Sequence, residues 1–303
     1  MNEPAVPGGR MSPGSRAIPW PVWALLAGAI VQLGVQIAPD SYQVFGPYLL
    51  VDGRMLVGWL QSITPFLLAA AVVLGADRWP AGRRALLVAA AALAVVGLLR
   101  LALDAWWTLW ETAPGPIPPE TTPWLTFGWT VAGLAAPVAY GLMAAGLWTA
   151  RPARPAGAAR MASIIAIGLA GLIATGAGLL VVAQTLERRG TADGLWVGSL
   201  TATAWAAGFA MLAALAVAAV RIARPVNALP EVLIAGGALV TMIASAWTWS
   251  YPQIAPTQAW EDEAIVWAFT IPSVLVLVGT LAIIAGFGLA ALSGRHVSGE
   301  RTA

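Results

Sequence analysis

Charge is the feature that most limits what this chain can fold into. Charged residues leave seven long uncharged stretches, 17–39, 55–76, 121–150, 161–186, 194–220, 232–260 and 264–294, and a shorter one at 85–99. A helix needs about 20 predominantly apolar residues to cross the hydrocarbon core of a bilayer, and each long stretch meets that length. Hydrophobic residues make up 59% of the chain and charged residues 10%, against about 45–50% and about 25% in soluble domains. A globule in water could not cover that much apolar side chain, so a lipid-facing surface is required. The stretch 85–99 reaches spanning length only by continuing to Trp110 across Arg100 and Asp104. The sequence therefore predicts an all-α polytopic integral membrane protein. Its eight transmembrane helices are expected near 19–38, 55–76, 85–110, 126–149, 161–185, 195–220, 231–250 and 264–292.

Arginine orients the bundle. With the N-terminus cytoplasmic, the inner segments hold Arg10, Arg16, Arg78, Arg83, Arg84, Arg151, Arg154, Arg160, Arg221, Arg224, Arg295 and Arg301. The outer segments hold Arg54, Arg188 and Arg189, and Arg100 lies within a span. That asymmetry follows the positive-inside rule and places both termini in the cytoplasm. Trp106, Trp107, Trp110, Trp124, Trp247, Trp249 and Trp260 gather near the outer ends, where amphipathic rings prefer the interface. The organisation expected is a disordered tail over 1–18, helices 1–4 over 19–150, a basic linker at 151–160, helices 5–8 over 161–293 and a tail over 294–303. The first span is longer than the apolar core of a secretory signal and reads as a retained anchor. The outer loop 111–124 carries five prolines from Pro114 to Pro123.

Composition excludes several chemistries. There is no Cys and one His, so disulfides, thiolate metal sites, cysteine nucleophiles and bis-His haem are out of reach. All sixteen basic residues are Arg, so no Schiff-base lysine exists. With the Ala, Gly and Pro richness, this reads as the coding bias of a high-GC bacterium, and the expected location is a bacterial plasma membrane. No basic stripe suggests nucleic acid, no paired intramembrane carboxylates occur, and no cofactor is implied. His296, in the expected tail, reads as solvated. Glu261, Asp262 and Glu263 read as acids favoured at the N-terminus of helix 8.

A repeat is visible in outline. "LVGWLQSIT" from Leu56 and "WVGSLTATA" from Trp196 share a V-G-x-L core, and Ala105-Trp106 and Ala246-Trp247 close the following helices. Pro137 and Pro272 then recur inside the next spans. On one reading, two parallel four-helix repeats are related about the membrane normal, as in some transporters. On the other, helices rich in Ala, Leu, Val and Gly match by chance. Eight spans in two units also resemble the layout of a haem A synthase, but that family ligates haem through histidines in the membrane. No span here contains a His, so no residue is carried over.

The polar residues of the spans fall mostly in their outer halves. Gln32 and Gln36 share a face of helix 1, and Gln61, Ser62 and Thr64 follow the outer start of helix 2. Gln184, Thr201 and Ser245 lie in helices 5, 6 and 7. An amide in hydrocarbon must find a partner or water. These residues therefore ring an outward-opening cavity or bond neighbouring helices together; both readings stand. Arg100 and Asp104, one helical turn apart, are read first as an interfacial pair ending helix 3 beneath the Trp belt. The alternative is that both face the bundle and floor the cavity. Tyr140 reads as packed with its hydroxyl bonded to a neighbour. Rows of small residues at every fourth position, such as Ala206/Ala210/Ala214/Ala218 and Gly237/Thr241/Ser245, serve close helix packing.

Three functions are compared. The first is a transporter or permease for a small or amphipathic solute, with Gln32, Gln36, Gln61, Thr64, Arg100, Asp104, Gln184, Thr201 and Ser245 as cavity candidates. The second is a non-catalytic subunit that scaffolds other membrane subunits. The third, an intramembrane enzyme acting on lipid, lacks the carboxylate or metal set it needs and ranks last.

Overall fold

The computed structural model describes residues 17–44, 53–112, 122–150, 157–188, 192–224, 227–254 and 263–299. The helices are α1 (Trp20–Val44), α2 (Gly53–Gly75), α3 (Arg83–Thr112), α4 (Thr122–Trp148), α5 (Ala158–Arg188), α6 (Ala192–Ile222), α7 (Leu229–Ile254) and α8 (Glu263–Gly299). Two 3-10 turns, Ala76–Arg78 and Pro80–Gly82, join α2 to α3. Among the described residues eight helices are long and apolar enough to cross a membrane. The protein is an all-α polytopic membrane protein. Most helices outrun their apolar spans by a turn or more, because polar residues at the interface also satisfy their backbone groups by staying helical. Arg160 and His296 consequently lie on helices α5 and α8, not in the linker and tail. The tail over 1–16, most of the loops at 45–52 and 113–121, and Glu261 and Asp262 lie outside the described residues.

Six helices form a closed ring in the order α2, α3, α4, α6, α7, α8 and back to α2. α1 packs outside against α2 and α3, and α5 packs outside against α6 and α7. Replacing each helix of the first four by its counterpart in the second maps every one of these contacts onto another. Thus α1 on α2 and α3 matches α5 on α6 and α7, and the α4–α6 seam matches the α8–α2 seam. Among the described residues helix α4 makes no contact with α5. The two halves therefore meet along two equivalent seams, with a central axis between them.

Small residues set the close helix contacts within each half, where lipid supplies no hydrophobic contrast to drive packing. A Cβ added at Gly237 of α7 would lie 2.5 Å from the carbonyl oxygen of Gly279 in α8. The Phe66 ring of α2 sits between Gly28 of α1 and Gly97 of α3, whose added Cβ atoms would each lie 2.8 Å from it. The tightest approach is Gly82, where a Cβ would fall 1.8 Å from the Gly146 carbonyl oxygen. A backbone atom cannot swing aside as a flexible side chain can. Gly82→Ala is expected to lower stability by about 1–3 kcal/mol, the usual cost of overpacking. Thermal unfolding in detergent checks this; an unchanged midpoint would show that the 3-10 turn yields without cost.

One end of the bundle, here the arginine end, gathers the end of α2, the starts of α3, α5 and α7 and the ends of α4, α6 and α8. Arg78, Arg83, Arg84, Arg160, Arg221 and Arg224 all lie there. The half of the bundle nearer this end is filled by an apolar core that includes Leu68, Leu86, Met143, Leu147, Leu215, Ile234, Ile283 and Phe287. Outward-pointing Ile30, Leu109, Ile165, Leu172 and Leu180 are strongly exposed, as expected of side chains that face hydrocarbon.

Candidate functional site

Above that core the ring parts around a cavity of about 520 Å³. Every ring helix contributes to its wall. α2 supplies Gln61 and Thr64, α3 Arg100, and α4 Thr130, Gly133, Pro137 and Tyr140. α6 adds Ala204, Trp205, Gly208, Phe209 and Leu212, α7 adds Thr241 and Ser245, and α8 adds Val276 and Thr280. Gln61, Arg100 and Ser245 lie far along α2, α3 and α7 from the arginine end, while Tyr140 and Leu212 lie nearer to it on α4 and α6. The space exists because Ala132, Gly133, Ala136, Ala204 and Gly208 carry little or no side chain where α4 and α6 face the axis.

Arg100 is the one charged side chain on this wall among the described residues. Its Nε is buried and has no hydrogen-bond partner. It also borders a second cavity of about 350 Å³, shared with Gln36, Trp59, Gln61, Ser62 and Asp104, so its guanidinium stands at the junction of the two. Asp104 faces away from the main cavity. Gln32 of α1 donates Nε2 to Asp104 Oδ2, and Gln36, one turn further along α1, lies beside the same carboxylate. α1 thus carries an amide cradle for the acid, while Arg100 supplies the opposite charge one turn away on α3.

Of the nine cavity candidates, Gln61, Thr64, Arg100 and Ser245 line the main cavity. Gln36 and Asp104 line the smaller one. Gln32 lines neither: it is fully buried against Asp104, because α1 packs outside the ring and turns its polar face toward α3. The side chains of Gln184 and Thr201 lie outside the described residues. The Arg100–Asp104 pair does not end α3, which continues to Thr112; Arg100 borders the main cavity, whereas Asp104 borders only the smaller one. Trp106, Trp107 and Trp247 are exposed near the far end as expected; Trp110, Trp124, Trp249 and Trp260 lie outside the described side chains.

Sequence reasoning missed Thr130, Thr241, Thr280, Trp205 and Phe209 as wall residues, and assigned Tyr140 to packing alone. One signal could have found Thr241. Arg100 precedes Ala105-Trp106 by the same interval that separates Thr241 from Ala246-Trp247. The repeat correspondence therefore sets Thr241 against Arg100 and Ser245 against Asp104.

At the arginine end each seam is closed by an arginine clamp. Arg78, just beyond α2, gives Nε and Nη2 to Glu231 Oε1 of α7 at 3.1 and 2.9 Å. It also donates to Ser293 Oγ of α8 and to the Asn227 carbonyl oxygen. Asn227 adopts a left-handed conformation, φ 71°, which Asn tolerates better than most residues; that turn brings its carbonyl to Arg78. Glu231 is buried and occupies the first turn of α7, where an acid complements the helix dipole. Across the other seam Arg221, ending α6, donates to the Trp148 carbonyl oxygen of α4 and lies 4.4 Å from the centre of the Trp148 ring. Sequence analysis read these arginines only as topology markers.

Comparison with family models, with curated proteins and with solved structures finds no match to the chain.

Proposed function

We propose that the protein is a permease-like transporter of a bacterial plasma membrane, with both termini cytoplasmic and the main cavity opening outward to a small or amphipathic solute. The observation that carries this reading is the cavity itself: about 520 Å³, within the 300–1,000 Å³ of ordinary ligand sites, closed on one side by a packed core and walled by polar groups around a half-buried arginine. The clustering of arginines at one end supports the orientation through the positive-inside rule. The absence of Lys alongside many Ala, Gly and Pro supports the bacterial source. The matched packing of the two halves supports parallel four-helix repeats, and repeat halves commonly enclose a transport site at their interface.

The two seams give the proposal its mechanics. Both clamps bind one half to the other at the arginine end, so the cytoplasmic side is locked and the outer side is parted. Inward opening requires Arg78 and Arg221 to release their partners while the halves close above the solute. Asp104 contributes indirectly, by balancing Arg100 and fixing it through α1. Asp104→Asn keeps the shape and leaves the guanidinium without its counter-charge. We expect flux to fall about tenfold, as for loss of roughly 1.4 kcal/mol, with expression unchanged; unchanged flux would make the pair a structural anchor.

Solute uptake by protein in sealed vesicles tests the reading. Saturable flux supports it. No flux of any solute tested, with a stoichiometric copurifying partner, would favour a non-catalytic subunit of a larger membrane complex.

A further inference from the structure

We infer that the main cavity selects an amphipathic organic anion, with an oxyanion held by Arg100 and an apolar body lying toward Trp205, Phe209 and Leu212; this rests on the solute-cavity reading of the same site. The argument is an inventory of the wall. Most of its polar hydrogens are spent on the protein. Thr64 Oγ1 donates to the Gln61 carbonyl oxygen at 2.7 Å, Thr280 Oγ1 to the Val276 carbonyl oxygen at 2.8 Å, and Gln61 Nε2 to the Ser273 carbonyl oxygen at 2.8 Å. Two buried groups on the wall make no such bond: Arg100 Nε and Thr241 Oγ1, the latter on a residue only 4% exposed. Both residues border the main cavity, Arg100 from α3 and Thr241 from α7, where its hydroxyl lies beside Gly279 of α8.

Charge narrows the choice. No carboxylate lines the main cavity among the described residues. The nearest acid in the sequence, Asp104, is turned to the smaller cavity and held by Gln32. A cationic solute would meet Arg100 with nothing of opposite sign on the wall. A solute without an acceptor would leave Arg100 Nε unpaired in a low-dielectric site, where an unsatisfied polar group is costly. An oxyanion answers both, since planar guanidinium suits carboxylate and phosphate alike. The remaining wall is apolar and aromatic. Trp205 and Phe209 stand 6.1 Å apart, centroid to centroid, on α6, across the ring from α2 and α3. A solute with one charged end and one apolar end fits that division.

Three probes sharing one apolar body separate the possibilities: 3-phenylpropionate, 3-phenylpropionamide and 3-phenylpropylamine, titrated calorimetrically into the full-length protein in lipid nanodiscs, with empty nanodiscs subtracted. The carboxylate is expected to bind at least tenfold more tightly than the amide, and the amine more weakly than either. Arg100→Lys should keep part of the preference for the carboxylate, and Arg100→Gln should abolish it. The ranking on the unmodified protein needs no variant, so it stands even if Arg100→Gln fails to fold. Equal binding of all three probes would overturn the anion inference and leave the solute cavity in place. Tightest binding by the amine would overturn it in favour of a cation site. Binding of none would remove the cavity reading and the inference together.

Discussion

Arg100→Gln is expected to weaken solute binding about 100-fold, and to cost stability as well. The two effects have different origins and can be separated. A charge-assisted hydrogen bond is worth about 1.5–3 kcal/mol; 100-fold corresponds to about 2.7 kcal/mol. The stability loss arises because the substitution leaves Asp104 without its counter-charge within a span, where an unpaired acid is costly. Removing that acid too should restore the fold without restoring the site. Arg100→Gln combined with Asp104→Asn is therefore expected to unfold near the wild-type temperature and still fail to bind. If the double variant bound normally, Arg100 would be only the counter-ion of Asp104.

Glu231→Ala is expected to destabilise the protein by about 3 kcal/mol, the lower end for breaking a buried ion pair. The lower end applies because the Arg78 side chain is 18% exposed and keeps Ser293 and the Asn227 carbonyl as partners. Glu231 itself is almost fully buried, and Arg78 stacks beside Trp79, 5.8 Å from its ring centre. The loss should appear as a lowered thermal midpoint in detergent. It should also loosen the α2–α8 seam, so a cysteine introduced there, since the chain has none of its own, should react with thiol reagents more readily in Glu231→Ala than in the otherwise unchanged protein. Arg221→Ala should loosen the opposite seam at smaller cost, because an exposed cation–π contact is worth about 0.5–1 kcal/mol. Equal stability of Glu231→Ala and the parent would mean that the clamp is incidental to seam closure.

The eight spans were legible because hydrocarbon forbids charge and irregular backbone over about 20 residues, and the gaps between charged residues record that directly. The polar bias toward one end was legible for the same reason, and it led to Gln61, Thr64, Arg100 and Ser245. The direction of a side chain around its helix axis was not. Gln32 and Gln36 carry the right chemistry, but α1 lies outside the ring, so they serve Asp104. Hydroxyls such as Thr280 are ambiguous in sequence, since they bond the backbone of their own turn whether they line a cavity or a helix contact. Empty space was harder still. Ala132, Ala136, Ala204 and Gly208 open the cavity, while Gly237 and Gly279 close the α7–α8 contact, with similar residues at similar spacing; which occurs depends on what the neighbouring helix presents. The clamps were hidden because Arg78 and Arg221 look the same in sequence whether they meet water or a partner helix.

The central claim, a solute cavity open to the outer face and sealed on the arginine side, is most directly tested by thiol accessibility, since the chain contains no Cys. Single variants Thr64→Cys and Ser245→Cys place a thiol on the cavity wall. Ile234→Cys, at a fully buried core position, and Arg84→Cys, at the arginine end, are the controls. With a membrane-impermeant maleimide added to intact cells, Thr64→Cys and Ser245→Cys should label and both controls should not; Arg84→Cys should label only after the membrane is opened. Labelling of Thr64→Cys and Ser245→Cys only from the side that reaches Arg84→Cys, or from neither side, would contradict the account.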